Sequence, residues 1–498
     1  MSKKYYLGID QGTTGTTAIV FNEEWTICGK GYIEHKQYYP KPGWVEHDPI
    51  EIWNKTKESV AVSLDQANIK AKDLRAIGLD NQGETCMVWD KNTGKPIYNA
   101  IVWQDRRTAK SADELKEKYG DLITKKTGLT IDAYFSALKI KWILDNVKNA
   151  WKKVAKGELK VGTLDTWLLW KMTGDQTYIT DSSTASRTML FNLHTNQWDE
   201  KILNIIGIPK SILPKIKDSA EIYGYTSTDF IDAKIPIAGS VVDQAAALFG
   251  QACFEKGSLK TTYGTGCFML MNTGYKPIIS KNGLITSAVW SMDKKITYAL
   301  DGGVYIGGAA VQWLRDGLKI IKSADETEAL AKSVPDSGGV YFVPAFTGLA
   351  APYWDQYARG MMIGITGGTT RAHIVRATLE AIAFQVAENL EVMRKDSGMS
   401  IDIMRADGGA VVNEFLMQFQ ADILGIPVDV PVIHETTALG AAYLAALGVG
   451  DFNSVESITS NWKLNKRYVP SINDDQRKTM MEQWKKAVER STKWIEVG

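Results

Sequence analysis

Near the start of the chain, an apolar run ends in an acid and then turns through glycine and threonine: Leu7 to Phe21 reads LGIDQGTTGTTAIVF. Tyr5 to Ile9 has the pattern of a buried strand, Gly12 permits a tight turn, and Ala18 to Phe21 returns as a second strand. Backbone N–H groups and threonine hydroxyls in such a turn donate to phosphate oxygens, and Asp10 at the strand end is placed to hold a hydrated Mg²⁺. An ordinary hairpin with a threonine-rich turn has the same local pattern. Repetition is what favours nucleotide chemistry. About 250 residues later, Leu259 to Met271, LKTTYGTGCFMLM, again sets glycine and threonine between two apolar runs. Two such hairpins suggest a duplicated architecture in which each half gives one phosphate loop to a shared cleft. A third glycine turn, Ala406 to Ala410, precedes the apolar-periodic stretch Phe415 to Leu424, where a turn at a helix start approaches a nucleotide closely.

The elements that must carry these turns alternate from the start. A helix is predicted around Ile50 to Ala67, a strand over Arg75 to Leu79 and another over Thr85 to Asp90, which is an α/β pattern. Ala109 to Asn149 reads as one amphipathic helical stretch capping a cleft, and Asp475 to Ile495 as a final helix. With 498 residues, the chain exceeds one hydrophobic core. Turn residues between Ser219 and Pro236 put the boundary near residue 250, giving domains 1–249 and 250–498.

Composition excludes several classes. With 58 basic and 57 acidic residues there is no net field to recruit nucleic acid or an anionic membrane, so any nucleotide is gripped locally. Cys28, Cys86, Cys253 and Cys267 lack disulfide or zinc spacing and read as reduced, mostly buried thiols. The N-terminus has no long apolar leader and no run of 18 apolar residues occurs, which predicts a cytoplasmic protein with no membrane span.

Longer segments carry a family resemblance along essentially the whole chain. They include GIDQGTT (8–14), PGWVEHDP (42–49), TGKPIYNAIVWQDRRT (93–108), YFSALKIKWILDNV (134–147) and ASRTMLFN (185–192) in the first half. The second half adds TYGTGCFMLMNTG (262–274), QWLRD (312–316), YFVPAFTGLAAPYWD (341–355), LMQFQADIL (416–424) and ETTALGAAYLAAL (435–447). The chain resembles the FGGY family of carbohydrate kinases, and within it the branch that phosphorylates glycerol. That resemblance implies an α/β fold of two ribonuclease H-like domains, of the actin, hexokinase and Hsp70 ATPase type, closing around a central cleft. It also implies ATP and Mg²⁺ as cofactors, a small polyol as substrate, and a homodimer or homotetramer.

Phosphoryl transfer to an alcohol needs a base at the hydroxyl and donors around the phosphate. Asp243, between an apolar strand and the small-residue helix Ala245 to Phe249, reads on spacing alone as a helix cap. The resemblance makes it the catalytic base instead. It further implies that Asp10 organises Mg²⁺ through water, and that Gly12, Thr13, Thr14, Thr265 and Gly266 contact phosphates. Gly308, Gln312, Gly409 and Asn413 would form the nucleoside side. Glu84, Trp103, Tyr134, Asp243, Gln244 and Phe268 would hold the polyol, with polar groups meeting its hydroxyls and aromatic faces excluding water.

Several positions depart from the family pattern. Asn81-Gln82-Gly83-Glu84 has Gly83 where an Arg is usual, Gly15-Thr16-Thr17 replaces Ser-Ser-Arg, and Val242 and Ala350 replace glycines. Loss of a guanidinium at Gly83 is expected to enlarge one end of the polyol site, unless a side chain from elsewhere fills it. Loss of Arg at Thr17 is expected to weaken phosphate stabilisation unless a lysine compensates. Glycerol is the leading acceptor, with a longer polyol or ketose as the alternative. A catalytically weak nucleotide or polyol sensor and an actin-like or Hsp70-like ATPase are the readings from other classes. The fructose 1,6-bisphosphate loop of some relatives corresponds to Ser227 to Lys234, which has two Asp and no Arg, so that anion site is not expected.

Overall fold

The computed structural model describes residues 4–496. Both hairpins form, as Tyr5–Gln11 with Gly15–Asn22 and as Leu259–Tyr263 with Cys267–Gly274. Each seeds a mixed sheet. The first has six strands in the order Gly224–Tyr225, Pro236–Val242, Leu74–Asn81, Tyr5–Gln11, Gly15–Asn22, Ile27–Glu34. The second has seven: Ile285–Met292, Lys295–Val304, Cys267–Gly274, Leu259–Tyr263, Met404–Asp407, Val428–Pro431, Leu464–Tyr468. In both, an antiparallel meander gives way to parallel strands on one side. The central strands are buried on both faces, which explains their near-continuous apolar sequence.

Register aligns the chemistry. Asp10 pairs with Asp80, and Val242 with Asn81, so three parallel strands of the first sheet end together. Carboxyl ends of parallel strands are where open α/β sheets bind ligands.

Helix Thr436–Gly448 follows strands of the second sheet in the chain yet packs on the first sheet and on helix Asp243–Gly250. Glycine permits that approach. Gly8, Gly78 and Gly239 lie side by side on the three parallel strands, and a Cβ on Gly8 or Gly78 would collide with the carbonyl of Ala438 or Ala441. A core containing Phe21, Val241, Leu248, Leu270, Trp290, Leu439 and Tyr443 therefore runs continuously between the two sheets.

Two expectations need correction. The stretch from Ala109 to Asn149 is not one helix: Ala109–Thr127 ends at Gly128, whose φ of 75° is left-handed, and Ser136–Asn146 starts afresh after Phe135. The break leaves Tyr134 on a loop. The final helix is Asp474–Ser491, shorter than predicted at its end. Among the described residues, no helix is long and apolar enough to cross a membrane, and Cys86, Cys253 and Cys267 are buried thiols.

Candidate active site

The first turn is closed by Gly12 N–H donating to the Gly15 carbonyl at 2.9 Å. Amide side chains brace it: Gln11 and Gln82 donate to the Gly12 carbonyl at 2.8 and 3.1 Å, and Gln37 to that of Thr13 at 2.7 Å. Thr14 is exposed at the tip. The second turn repeats the closure, with Gly264 N–H donating to Gly266 O at 2.9 Å, and Thr265 exposed. Helix Gly308–Asp316 is stitched to it, because Gly308 N–H donates to Gly264 O at 2.8 Å and Ala309 N–H to Thr265 O at 3.0 Å. Gly308 thus joins the second phosphate turn, and Gln312 is exposed one turn further along that helix. At the third turn, Gly408 has φ 90° and a Cβ there would collide with Tyr263, while Gly409 faces open space. Asn413 caps helix Glu414–Leu424, accepting from Leu416 N at 2.9 Å and donating to Thr327 at 3.0 Å.

Asp10 Oδ2 accepts from the Thr437 hydroxyl at 2.7 Å, and its Oδ1 lies toward Gly12. Burial raises the Asp10 pKa, with the Thr437 bond opposing. Behind it sits Asp80, fully buried, whose two oxygens have no conventional donor. Burial and the charges of Asp10 and Asp243 push Asp80 well above the usual carboxylate range. Among the described residues, no three His, Cys, Asp or Glu side chains converge as a metal cage. One carboxylate supplemented by phosphate oxygens and water is a donor set that suits Mg²⁺.

Asp243 is the first residue of its helix. Its Oδ1 accepts from Gln244 N at 2.6 Å, so it does make a local capping contact. Burial, then the charges of Glu84 and Asp10, raise its pKa to about 7. Gln244 Oε1 accepts from Lys260 Nζ at 2.6 Å, and that ammonium also donates to Thr262 at 2.9 Å. The lysine therefore fixes the Gln244 amide with its oxygen inward and its NH₂ free to donate. Lys260 is fully buried, and burial lowers its pKa while Asp407 and Asp243 oppose that.

Glu84 has φ 60°, a left-handed conformation for a residue with a side chain. Its Oε1 accepts from Arg187 Nε at 2.5 Å, and Arg187 Nη1 donates to Ser287 at 2.7 Å and Asp301 at 2.9 Å. A buried carboxylate, guanidinium and second carboxylate thus connect the loop after strand Leu74–Asn81 to the second sheet. Trp103 Nε1 donates to Thr13 at 2.9 Å, and its ring meets Tyr134 edge-on at 5.7 Å. This ties Trp103 and Tyr134 to the first turn. Phe268 lies against Gly303 and Gly266.

Gly83 is closely packed at the Cβ position. A Cβ built on it would stand 3.0 Å from Val242 Cγ2 and 3.5 Å from Arg187 Cγ, so the two departures at 83 and 242 fit one another.

Sequence reasoning passed over Asp80, Arg187, Lys260, Asp301 and Thr437. Lys260 carried a signal, being a lysine inside the otherwise uncharged strand Leu259–Tyr263. Asp80 ends a strand as Asp10 does. Arg187 and Asp301 meet across 114 positions of sequence, and no local pattern marks such a pair.

Comparison with known proteins adds to this geometry. Residues 5–250 match the N-terminal domain, and residues 259–449 the C-terminal domain, of the FGGY family of carbohydrate kinases. Glycerol kinase 2 of Thermotoga maritima is 59% identical over 492 residues, covering 99% of each chain. Glycerol kinase of Caldanaerobacter subterraneus subsp. tengcongensis is 55% identical over 494 residues, again with 99% of each covered. The crystal structure of Plasmodium falciparum glycerol kinase with ADP superimposes with a TM-score of 0.90 at 39% identity, over 99% of both chains.

Proposed function

The chain belongs to the FGGY family of carbohydrate kinases, and from that premise we propose that it transfers the γ-phosphoryl group of ATP to glycerol, giving glycerol 3-phosphate and ADP. The observation that carries the reading is Asp243. Its carboxyl, raised to about 7, feels both Glu84 on the polyol side and Asp10 on the phosphate side. Relatives at 59 and 55% identity named glycerol kinase point to the acceptor.

In this reading the acceptor hydroxyl oxygen attacks the γ-phosphorus, the bond from that phosphorus to the β,γ-bridging oxygen breaks, and the hydroxyl proton passes to Asp243. Glu84 and Gln244 orient the polyol, and Trp103, Tyr134 and Phe268 cover its carbon face and exclude water. Gly12, Thr13, Thr14, Thr265 and Gly266 surround the phosphates. Gly308, Gln312, Gly409 and Asn413 border the nucleoside. Mg²⁺, bound near Asp10 through water, would neutralise phosphate charge. Lys260 is the buried basic side chain beside Gln244, where it orients that amide. The two lobes divide near residue 250.

The test is ADP release with Mg²⁺-ATP across glycerol, dihydroxyacetone, erythritol, threitol, ribitol, xylitol and xylulose, against a blank without acceptor. Release dependent on glycerol, and strongest with it, is expected. Preference for a longer acceptor would overturn the choice of glycerol, and a flat panel with nucleotide bound would favour the sensor.

A further inference from the structure

The side chain bonded to Glu84 is itself turned toward the polyol site. Arg187 ends the short helix Ser182–Ser186, and its side chain is 8% exposed. Its Nε and Nη1 are engaged by Glu84, Ser287 and Asp301, but among the described residues nothing bonds Nη2. The guanidinium carbon lies 5.8 Å from the Tyr134 ring centre and 5.7 Å from that of Phe135. A guanidinium held at Nε and Nη1 by two carboxylates, with Nη2 still able to donate and aromatic rings beside it, is a preorganised donor. Nη2 is not one of the fully buried atoms left without a partner, so the small exposed part of the side chain includes it and an oxygen entering there can accept from it. Val242 limits what can supply it, because its methyl sits over Gly83 beside the Arg187 stem.

We propose that Arg187 and Val242 together set acceptor length: Nη2 of Arg187 binds the terminal hydroxyl remote from the one phosphorylated, alongside Glu84, and Val242 closes the space a fourth carbon would need. This rests on the reading of the chain as a glycerol-phosphorylating kinase and names two residues that decide that choice. Asp301 and Ser287 come from the second sheet, so the donor is fixed only while both sheets contribute.

The experiment compares kcat/KM for glycerol, propane-1,2-diol and erythritol in the parent protein, Arg187→Lys and Val242→Gly. Propane-1,2-diol lacks the remote hydroxyl but keeps the attacking one. A site built to bond a hydroxyl rejects the analogue lacking it by on the order of 10⁴-fold. Arg187→Lys keeps a positive charge for Glu84 and Asp301 but loses the fork, and should cut the glycerol to propane-1,2-diol ratio at least about tenfold. A purely structural arginine would lower both acceptors alike and leave the ratio unchanged, which would overturn its role. Val242→Gly leaves the ion pairs intact and should raise erythritol relative to glycerol about tenfold. An unchanged erythritol ratio would overturn the role of Val242. A parent protein that phosphorylates no polyol would overturn both this proposal and the reading beneath it.

Discussion

Asp10 and Asp407 end strands of different sheets, yet adjacent threonines at the start of one helix hold both. Thr437 donates to Asp10 at 2.7 Å and Thr436 to Asp407 at 2.8 Å. The two sheet edges that carry phosphate turns are thereby set in one frame by helix Thr436–Gly448. Thr437→Val keeps the shape and removes the donor. A hydrogen bond to a charged group is worth about 1.5–3 kcal/mol, so Mg²⁺-nucleotide affinity measured by titration calorimetry should fall about tenfold or more, with the fold intact by circular dichroism.

Catalysis should follow the ionisation of Asp243. Its pKa is raised to about 7 by burial and by Glu84, and only the carboxylate accepts a proton, so kcat/KM should rise with pH through about 7 and be lost below it. Asp243→Asn should bind ATP while losing about 10²–10⁴-fold in kcat. A pH profile flat between 5.5 and 8.5, the span on either side of that value, would count against Asp243 as the base.

Lys260 acts on the same profile from the other side. Its charge lowers the Asp243 pKa, and its contact with Gln244 orients the amide. Lys260→Met should reduce kcat at least about tenfold. It should also move the acid limb of the profile to higher pH, a shift that loss of packing alone would not produce.

The glycine row beneath helix Thr436–Gly448 is a packing requirement. In Gly78→Ala the new methyl meets the Ala441 carbonyl, a collision with backbone rather than with a side chain that can move. Overpacking of this kind costs about 1–3 kcal/mol. Urea unfolding should report that loss, and nucleotide affinity should fall with it because the same helix holds Asp10.

Features made within a few residues were legible in the sequence. The paired turns around Gly12 and Thr265, the acid at position 10 and the small-residue helix after Asp243 all follow from short-range rules of strand alternation, glycine turns and helix starts. Gly128 shows such a signal misjudged: a glycine at the end of an amphipathic run is a helix stop, and reading through it merged two helices. The long family-like segments are what pointed to Trp103, which composition would not have selected among 16 tryptophans.

The sequence by itself determined the α/β class and the two glycine–threonine hairpins, because each is encoded by neighbours in the chain, whereas Asp243 was singled out by the family resemblance. Tertiary structure alone decided that Val242 and Arg187 pack against Gly83, that Arg187 joins Glu84 to Asp301, that Lys260 orients Gln244, and that a helix late in the chain covers the first sheet. Those contacts unite residues separated by up to several hundred positions, and they depend on how whole sheets and helices pack. Local propensity carries no record of which distant side chain will occupy a given space.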